Sequence, residues 1–494
     1  MYKIEICFLD KDFEHDIYEL IKAFYPEAEI CMTYEEGADH SCDLLFVSSK
    51  AEGSYRIRYE GEGKSGQISI KESESRRENK DHLKYALYQD VLAQLTGRTL
   101  PWGNLTGIRP VKLAMGMLDK GLTNVQTAQE MRDQYLVSPK KTALAVAIAN
   151  RERDILKDID YDRGYSLYVG IPFCPSICLY CSFSSYPLKV WAARTDEYLD
   201  ALCKEAEAVA DVMKSLGRKL DTIYIGGGTP TTLEPYQLER LLDCLNRQFG
   251  YEGLLEFTVE AGRPDSITKE KLAAIHKFPV TRISVNPQTM NQSTLDLIGR
   301  KHSVEDTKKA FLLAREQGFD NINMDLIVGL PGEDYAMVEH TLEQVRALDP
   351  DSLTVHSLAV KRSARLNIFR DQYQEMTFEN NQEIMDLTMK TAYEMGMSPY
   401  YLYRQKNMKG NFENVGYAKV DKAGIYNILI MEEKQPIIAL GAGGSSKLVF
   451  DHERRIERVE NVKDVTSYIS RIDEMIQRKQ TGITRWLRDW REDS

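Results

Sequence analysis

The sequence predicts an α/β protein: a parallel sheet with crossover helices, preceded by an α+β domain and followed by a smaller α+β domain. Three observations carry this. From residue 165 onward, short apolar segments at 166–171, 222–225, 256–260, 281–285, 323–328 and 352–356 alternate with amphipathic ones at 196–216, 237–248, 303–317 and 335–348. Repeated strand–helix units of this kind build a parallel sheet, either an open wound sheet or a barrel. Six units are too few for a complete eightfold barrel. Before them, the polar run 157–164 closes a segment of different pattern, and after them the repeat stops. The domains expected are therefore 1–160, 161–375 and 376–494.

The first segment opens with strands at 3–9 and 43–47 and a helical pattern near 17–24. Residues 56–59 and 67–71 alternate like a hairpin. Leu83, Leu87, Val91 and Leu95 share one helix face, and Gly97 supplies a stop. The Pro- and Gly-rich stretch 100–112 reads as a shaped loop in which Arg109 and Lys112 are either contacts for a carboxylated substrate or a solvated turn. Hydrophobic content of 43%, charged content of 28% and a net charge of −11 describe a soluble protein with no long-range attraction to nucleic acid or anionic membrane. The opening residues read as a strand rather than a signal peptide, and no apolar run reaches about 20 residues, so a cytoplasmic location without a membrane span is expected.

Cys174, Cys178 and Cys181 stand at C-x3-C-x2-C spacing directly after the first strand of the repeat. Three thiolates on so short a loop can wrap one metal centre. Structural zinc takes four ligands from two separated pairs, and no second pair lies nearby. A four-iron cluster normally takes four thiolates, so three leave one iron open to a substrate or cofactor. The other cysteines, Cys7, Cys31, Cys42, Cys203 and Cys244, lie in apolar surroundings and read as reduced core residues. Gly226, Gly227 and Gly228, followed by Thr229 and Pro230, end the second strand, where glycine lets a ligand approach the backbone. Glu260, Gln288 and Arg300 fall at or beyond strand ends. Asp325 sits inside an apolar strand, where a carboxylate is costly unless bonded or paired.

The cysteine spacing, with Tyr180 just before the last cysteine, resembles the cluster motif of the radical S-adenosylmethionine (SAM) superfamily. That resemblance implies a [4Fe–4S] cluster on Cys174, Cys178 and Cys181, SAM chelated at the open iron, and a 5′-deoxyadenosyl radical on reductive cleavage. It also implies a partial (β/α)6 barrel, which matches the count of six. The Gly-Gly-Gly-Thr-Pro run is similar to the family motif that binds the SAM amino group, in the form found in oxygen-independent coproporphyrinogen III oxidases. By that resemblance Gly226, Gly227, Gly228 and Thr229 bind SAM, Tyr168 and Glu260 are catalytic residues touching it, and Gln288, Arg300, Asp325 and Ala359 contact a second SAM. The rival for the last group is an internal Arg300–Asp325 ion pair. Gly170 stands where the family often has histidine, and Phe183 where its best-studied branch has a fourth cysteine. These departures and the long N-terminal extension resemble the HemZ-type subgroup.

The last third holds an aromatic, donor-rich run at 399–417, suited to a flat macrocycle with carboxylates or to an ordinary strand and turn. A glycine-rich turn at 439–446 resembles the family's later turn beside SAM. A closing helix at 465–479 carries Tyr468, Ile469, Ile472 and Ile476 on one face, and Trp486 and Trp490 are placed to dock the tail. The resemblance implies a porphyrin-pathway enzyme that converts coproporphyrinogen III propionates to the vinyls of protoporphyrinogen IX. It further implies a flavodoxin or ferredoxin as electron donor, and a monomer. The alternatives are a haem chaperone of the same family, whose His-Asn-x-x-Tyr-Trp motif is matched here only by Tyr426 and Asn427 without the histidine, and a radical SAM enzyme methylating or opening another tetrapyrrole.

Overall fold

A computed structural model describes residues 2–35, 42–61, 63–107, 109–183, 185–359, 364–368, 380–405, 412–450 and 455–492, with side chains to 488. Trp490 and residues 406–411 of the aromatic run lie outside the described side chains. The chain forms two compact units, Met1–Asn150 with Leu402–Glu413, and Arg151–Tyr401 with Asn414–Ser494.

In the first unit β1 (Lys3–Phe8) runs parallel to β2 (Glu29–Thr33) and β3 (Leu44–Ala51), and β3 continues antiparallel through β4 (Ser54–Gly61) and β5 (Lys64–Lys71). Helix Glu14–Phe24 buries Ile17, Leu20, Ile21 and Phe24 against this sheet. The helical face expected at Leu83–Leu95 is present, but the helix widens to π geometry over Leu87–Leu92 before Gly97 ends it at φ 64°. Strand β2 was missed because its short run is mostly exposed, and Cys31 on it is exposed rather than in the core. Cys7 and Cys244 are buried as expected, while Cys42 and Cys203 are half-buried. Arg109 directly precedes helix Pro110–Asp119, whose proline at the first position suits a helix start.

The second unit is built on one large sheet. Its strands are β6 (Gly164–Ile171), β9 (Lys219–Gly227), β10 (Glu256–Glu260), β11 (Arg282–Ser284), β12 (Ile322–Val328) and β13 (Ser352–Ser357); two-residue pairs β7 (Phe173–Cys174) and β8 (Tyr186–Pro187) lie apart. These six pair in parallel in the order β13-β12-β11-β10-β9-β6, the partial (β/α)6 barrel. Further strands extend both edges. Beyond β13 come β15 (Asn414–Ala418) and β14 (Ser398–Tyr403). Beyond β6 come β16 (Ile437–Leu440), parallel to it, and antiparallel β17 (Ser445–Phe450) and β18 (Arg455–Glu460). Strand β6 is buried over nearly its whole length, which explains its continuous apolar sequence.

The crossover helices cover the outside by helical periodicity. Thr195–Ser215 buries Tyr198, Leu202, Glu205, Val209 and Met213, and Pro235–Phe249 starts with a capping box between Glu234 and Gln237. The closing helix is two helices, Val465–Ser470 and Ile472–Glu492. Its buried face is Tyr468, Ile472, Met475 and Lys479 together with Ile483 and Trp486, while Ile469 and Ile476 are only half-buried.

Candidate active site at the carboxyl ends of the barrel strands

The parallel strands all end on one side, and the chain after each end supplies the site. Strand β6 leads through Pro172 into the cysteine loop. Backbone bonds fix the loop to the neighbouring turn: Gly228 N donates to the Ile171 carbonyl (2.7 Å) and Thr229 N to the Phe173 carbonyl (2.7 Å). On its far side Leu179 N donates to the Ile298 carbonyl (2.9 Å), while the Leu179 side chain enters an apolar cluster with Leu295, Ile298, Leu330 and Leu366. The three cysteines are thus carried on a loop gripped at both ends.

Donors face their sulfurs. The Thr229 hydroxyl lies 3.6 Å from Cys174 Sγ, and Arg263 Nη1 lies 3.4 Å from Cys178 Sγ. Burial pushes the Cys174 thiol up to about 11 and raises Cys181 as well. Metal binding must displace these protons, and iron-bound thiolates then accept such donors. Three thiols on one pinned loop with donors on two of them fit a four-iron cluster with one iron left for another ligand.

The glycine turn is a cradle. A Cβ at Gly228 would stand 2.5 Å from the Phe173 carbonyl oxygen, and one at Gly226 would stand 3.0 Å from the Glu260 carboxylate. Gly227 has φ 108°, a conformation that glycine alone adopts readily. Glu260, at the end of β10, takes a short hydrogen bond from the Tyr224 hydroxyl. Burial pushes its carboxyl up to about 7, and Asp325 adds to the rise against the Tyr224 bond and the Arg282 charge. Tyr168, Tyr224 and Tyr426 stack beside it, with ring centroids 4.5 Å apart for Tyr224–Tyr426 and 6.2 Å for Tyr168–Tyr224.

Along β11 and its continuation, alternate residues are polar. Arg282, Ser284, Asn286 and Gln288 are all buried, and each keeps a side-chain atom without a hydrogen-bond partner: Arg282 Nε, Ser284 Oγ, Asn286 Oδ1 and Gln288 Oε1. Gln288 also holds φ 69°, a strained value for a residue with a Cβ, fixed by bonds from its N–H to the Asp325 carbonyl (3.0 Å) and from Ile327 N to its own carbonyl (2.9 Å).

Arg300 and Asp325 do not pair with each other. Arg300 donates to the Asn286 carbonyl (2.5 Å) and to the Tyr180 hydroxyl (3.3 Å), which places it over the cysteine loop. Asp325 accepts from Asn323 (2.6 Å) and lies 3.9 Å from His356 Nε2. Burial pushes this carboxyl up, but His356 and Asn323 outweigh it and hold Asp325 below the usual range. Ala359 follows β13 and is half-buried. The internal ion pair offered as the rival reading is therefore not how these two residues are held.

Sequence reasoning missed Tyr224, Arg263 and His356. Tyr224 and His356 lie inside strands, where aromatic residues usually signal core. Arg263 sits three residues after Glu260, and nothing local marks it as a partner of a cysteine far earlier in the chain.

Comparison with known proteins agrees with this geometry. Residues 168–345 match the radical SAM superfamily. The chain is 37% identical over 472 residues to the oxygen-independent coproporphyrinogen-III oxidase-like protein HemZ of Bacillus subtilis, covering 94% of each. It is 42% identical over 197 residues to the heme chaperone HemW of Bacillus subtilis, 40% of this chain and 51% of that one. Among solved structures, coproporphyrinogen III oxidase (HemN) from Escherichia coli, a radical SAM enzyme, superposes with TM-score 0.51 at 24% identity over 64% of this chain and 70% of that chain, a likeness of fold. By its match to HemZ over nearly the whole length of both chains, the protein belongs to the HemZ-type, coproporphyrinogen oxidase-like family of the radical SAM superfamily, whose cofactors are a [4Fe–4S] cluster and SAM.

Proposed function

We propose that the protein is a radical SAM enzyme of porphyrin metabolism that converts propionate side chains of coproporphyrinogen III to vinyl groups without oxygen. The observation that carries this reading is the buried polar column Arg282, Ser284, Asn286 and Gln288, each with an unmatched atom, next to the cysteine loop and the glycine turn. Unmatched buried polar groups cost about 1–3 kcal/mol each, a cost that a polar ligand or water recovers. When bound, the cluster and SAM would supply a carbon radical able to abstract a propionate hydrogen; the propionate would then lose carbon dioxide and pass one electron to an acceptor, leaving the vinyl.

The chain's own residues do the holding. Cys174, Cys178 and Cys181 bind the iron. The turn Gly226–Gly228 lets SAM approach the backbone, and Glu260, ionised above about 7, takes its ammonium. Tyr168 packs beside them. Gln288, Arg300, Asp325 and Ala359 line the further side for a second SAM. A flavodoxin or ferredoxin supplies the electron. The residues of 376–494 are assigned to covering the substrate.

A haem chaperone is the second reading, favoured by the 42% identity to HemW over 197 residues. Against it, Tyr426 occupies the place of the expected haem-binding histidine. It is 4% exposed, stacked against Tyr168 and Tyr224, with its backbone N–H tied to Glu256 (3.1 Å). The deciding experiment is anaerobic incubation of the reconstituted protein with SAM, dithionite and coproporphyrinogen III, followed by mass analysis, beside a haem titration of the same preparation. Decarboxylated product with 5′-deoxyadenosine supports the enzyme; stoichiometric haem binding without product supports the chaperone.

A further inference from the structure

We propose that Arg263 sets the reduction potential of the cluster through a hydrogen bond to the Cys178 sulfur. Arg263 is 4% exposed and every part of its guanidinium is committed. Nε and Nη2 clasp the two oxygens of Asp265 at 2.9 and 2.8 Å, and Nη2 also donates to Ser176 Oγ at 3.1 Å. Nη1 is left pointing at Cys178 Sγ, 3.4 Å away, and at the Ser176 carbonyl, also 3.4 Å away. A planar fork held by a bidentate carboxylate cannot swing away from the sulfur.

The consequence follows from charge. Adding an electron makes the cluster and its thiolates more negative, so a donor on a ligating sulfur favours the reduced form and raises the potential. Asp265 cancels much of the arginine's long-range charge, which leaves a short-range hydrogen bond and a dipole with its positive end at Cys178. His302, fully buried 3.8 Å from Asp265, adds no charge near neutrality, because burial and then Arg300 push it down to about 4. Arg300, over the same loop, bonds Tyr180 and the Asn286 carbonyl and also reaches the Cys178 thiol, so the test changes Arg263 with Arg300 left in place. This role depends on the cluster alone and is independent of which tetrapyrrole is used.

The rival is that Arg263 only props the loop through Ser176. A prop changes how much cluster is retained; it does not change the potential of the cluster that remains. The test is a potential measurement on the anaerobically reconstituted full chain without SAM, poised with dithionite and mediator dyes and read by electron paramagnetic resonance and iron content. Arg263→Gln should lower the reduced-to-oxidised ratio at fixed potential about tenfold, the scale of losing one bond to a charged group, which is about 59 mV for one electron. Asp265→Asn should act with the opposite sign, because it removes the neutralising charge while the amide oxygen still holds Arg263. An unchanged ratio in iron-loaded Arg263→Gln overturns the proposal. If that variant retains no iron, Asp265→Asn decides: a raised potential supports the proposal, and an unchanged or lowered one overturns it.

Discussion

Replacing Glu205 by Gln should destabilise the barrel unit by about 3–5 kcal/mol, because it leaves a buried lysine without its counter-charge. Glu205 and Lys479 are both fully buried and form a short ion pair. The same carboxylate accepts from the Tyr468 hydroxyl (2.7 Å), Asn461 Nδ2 (2.8 Å) and Gly441 N (2.8 Å). Four donors therefore converge on two oxygens, and an amide offers one oxygen and a competing NH2 group. Lys479 also donates to the Ala439 carbonyl, so the network pins both sides of the turn that follows β16.

That turn is close to the site. A Cβ at Gly441 would stand 2.6 Å from the Gly170 carbonyl oxygen, two residues beyond Tyr168 in β6. The Tyr198 hydroxyl bonds the Gly170 carbonyl (2.7 Å) and Ala442 N (3.1 Å), which joins strand and turn. A chain of two units need not unfold in two states, so the midpoint of the calorimetric transition is the quantity to compare. At about 2 °C per kcal/mol for a large domain, Glu205→Gln should lower it by about 6–10 °C. Adding Lys479→Met removes the stranded charge, and the double variant should regain more than half of the loss. A single-variant shift under about 2 °C, or a double variant no more stable than the single, refutes the reasoning.

Three further outcomes are expected. Gly228→Ala should lose iron and SAM binding together, because its Cβ meets the Phe173 and Ile171 carbonyl oxygens at 2.5 and 2.9 Å, backbone that cannot yield without moving Cys174; iron analysis and equilibrium dialysis check it. SAM affinity should fall about fivefold from pH 7 to pH 6, because Glu260 protonates below about 7 and loses its charge, and Glu260→Gln should flatten the profile. Glu152→Gln should raise the melting temperature above neutrality. Burial first, and then Glu432, raise the Glu152 carboxyl well above 4.5. Such a group stabilises the fold below its unfolded value, and that stability is lost as pH rises through the folded value. The amide keeps the neutral form, and a melting-temperature series from pH 5 to 9 reads the difference.

How much of this was legible depended on whether the signal was local. The six barrel strands are runs of apolar residues that must be buried on both faces, so each showed in sequence even where its ends moved by a few residues. The cysteine loop and the glycine turn showed because their chemistry lies within a few consecutive residues. Strand β16 did not show, because its four residues, Ile437–Leu440, gain strand character only by lying beside β6, and a glycine-rich turn masks them. Lys479 looked like the polar end of a helix, yet it is buried because Glu205 waits for it on another helix. Arg263 is the same case at the site. Its sequence neighbours Gly262 and Pro264 mark a turn, and its meaning is the sulfur of Cys178, which only the closed barrel brings within reach. Pairings between charged residues distant in the chain leave no periodic trace, since each partner alone reads as a solvated surface group. Burial is what turns them into structure or chemistry: an isolated buried charge is too costly to persist, so each implies a partner that the fold must deliver.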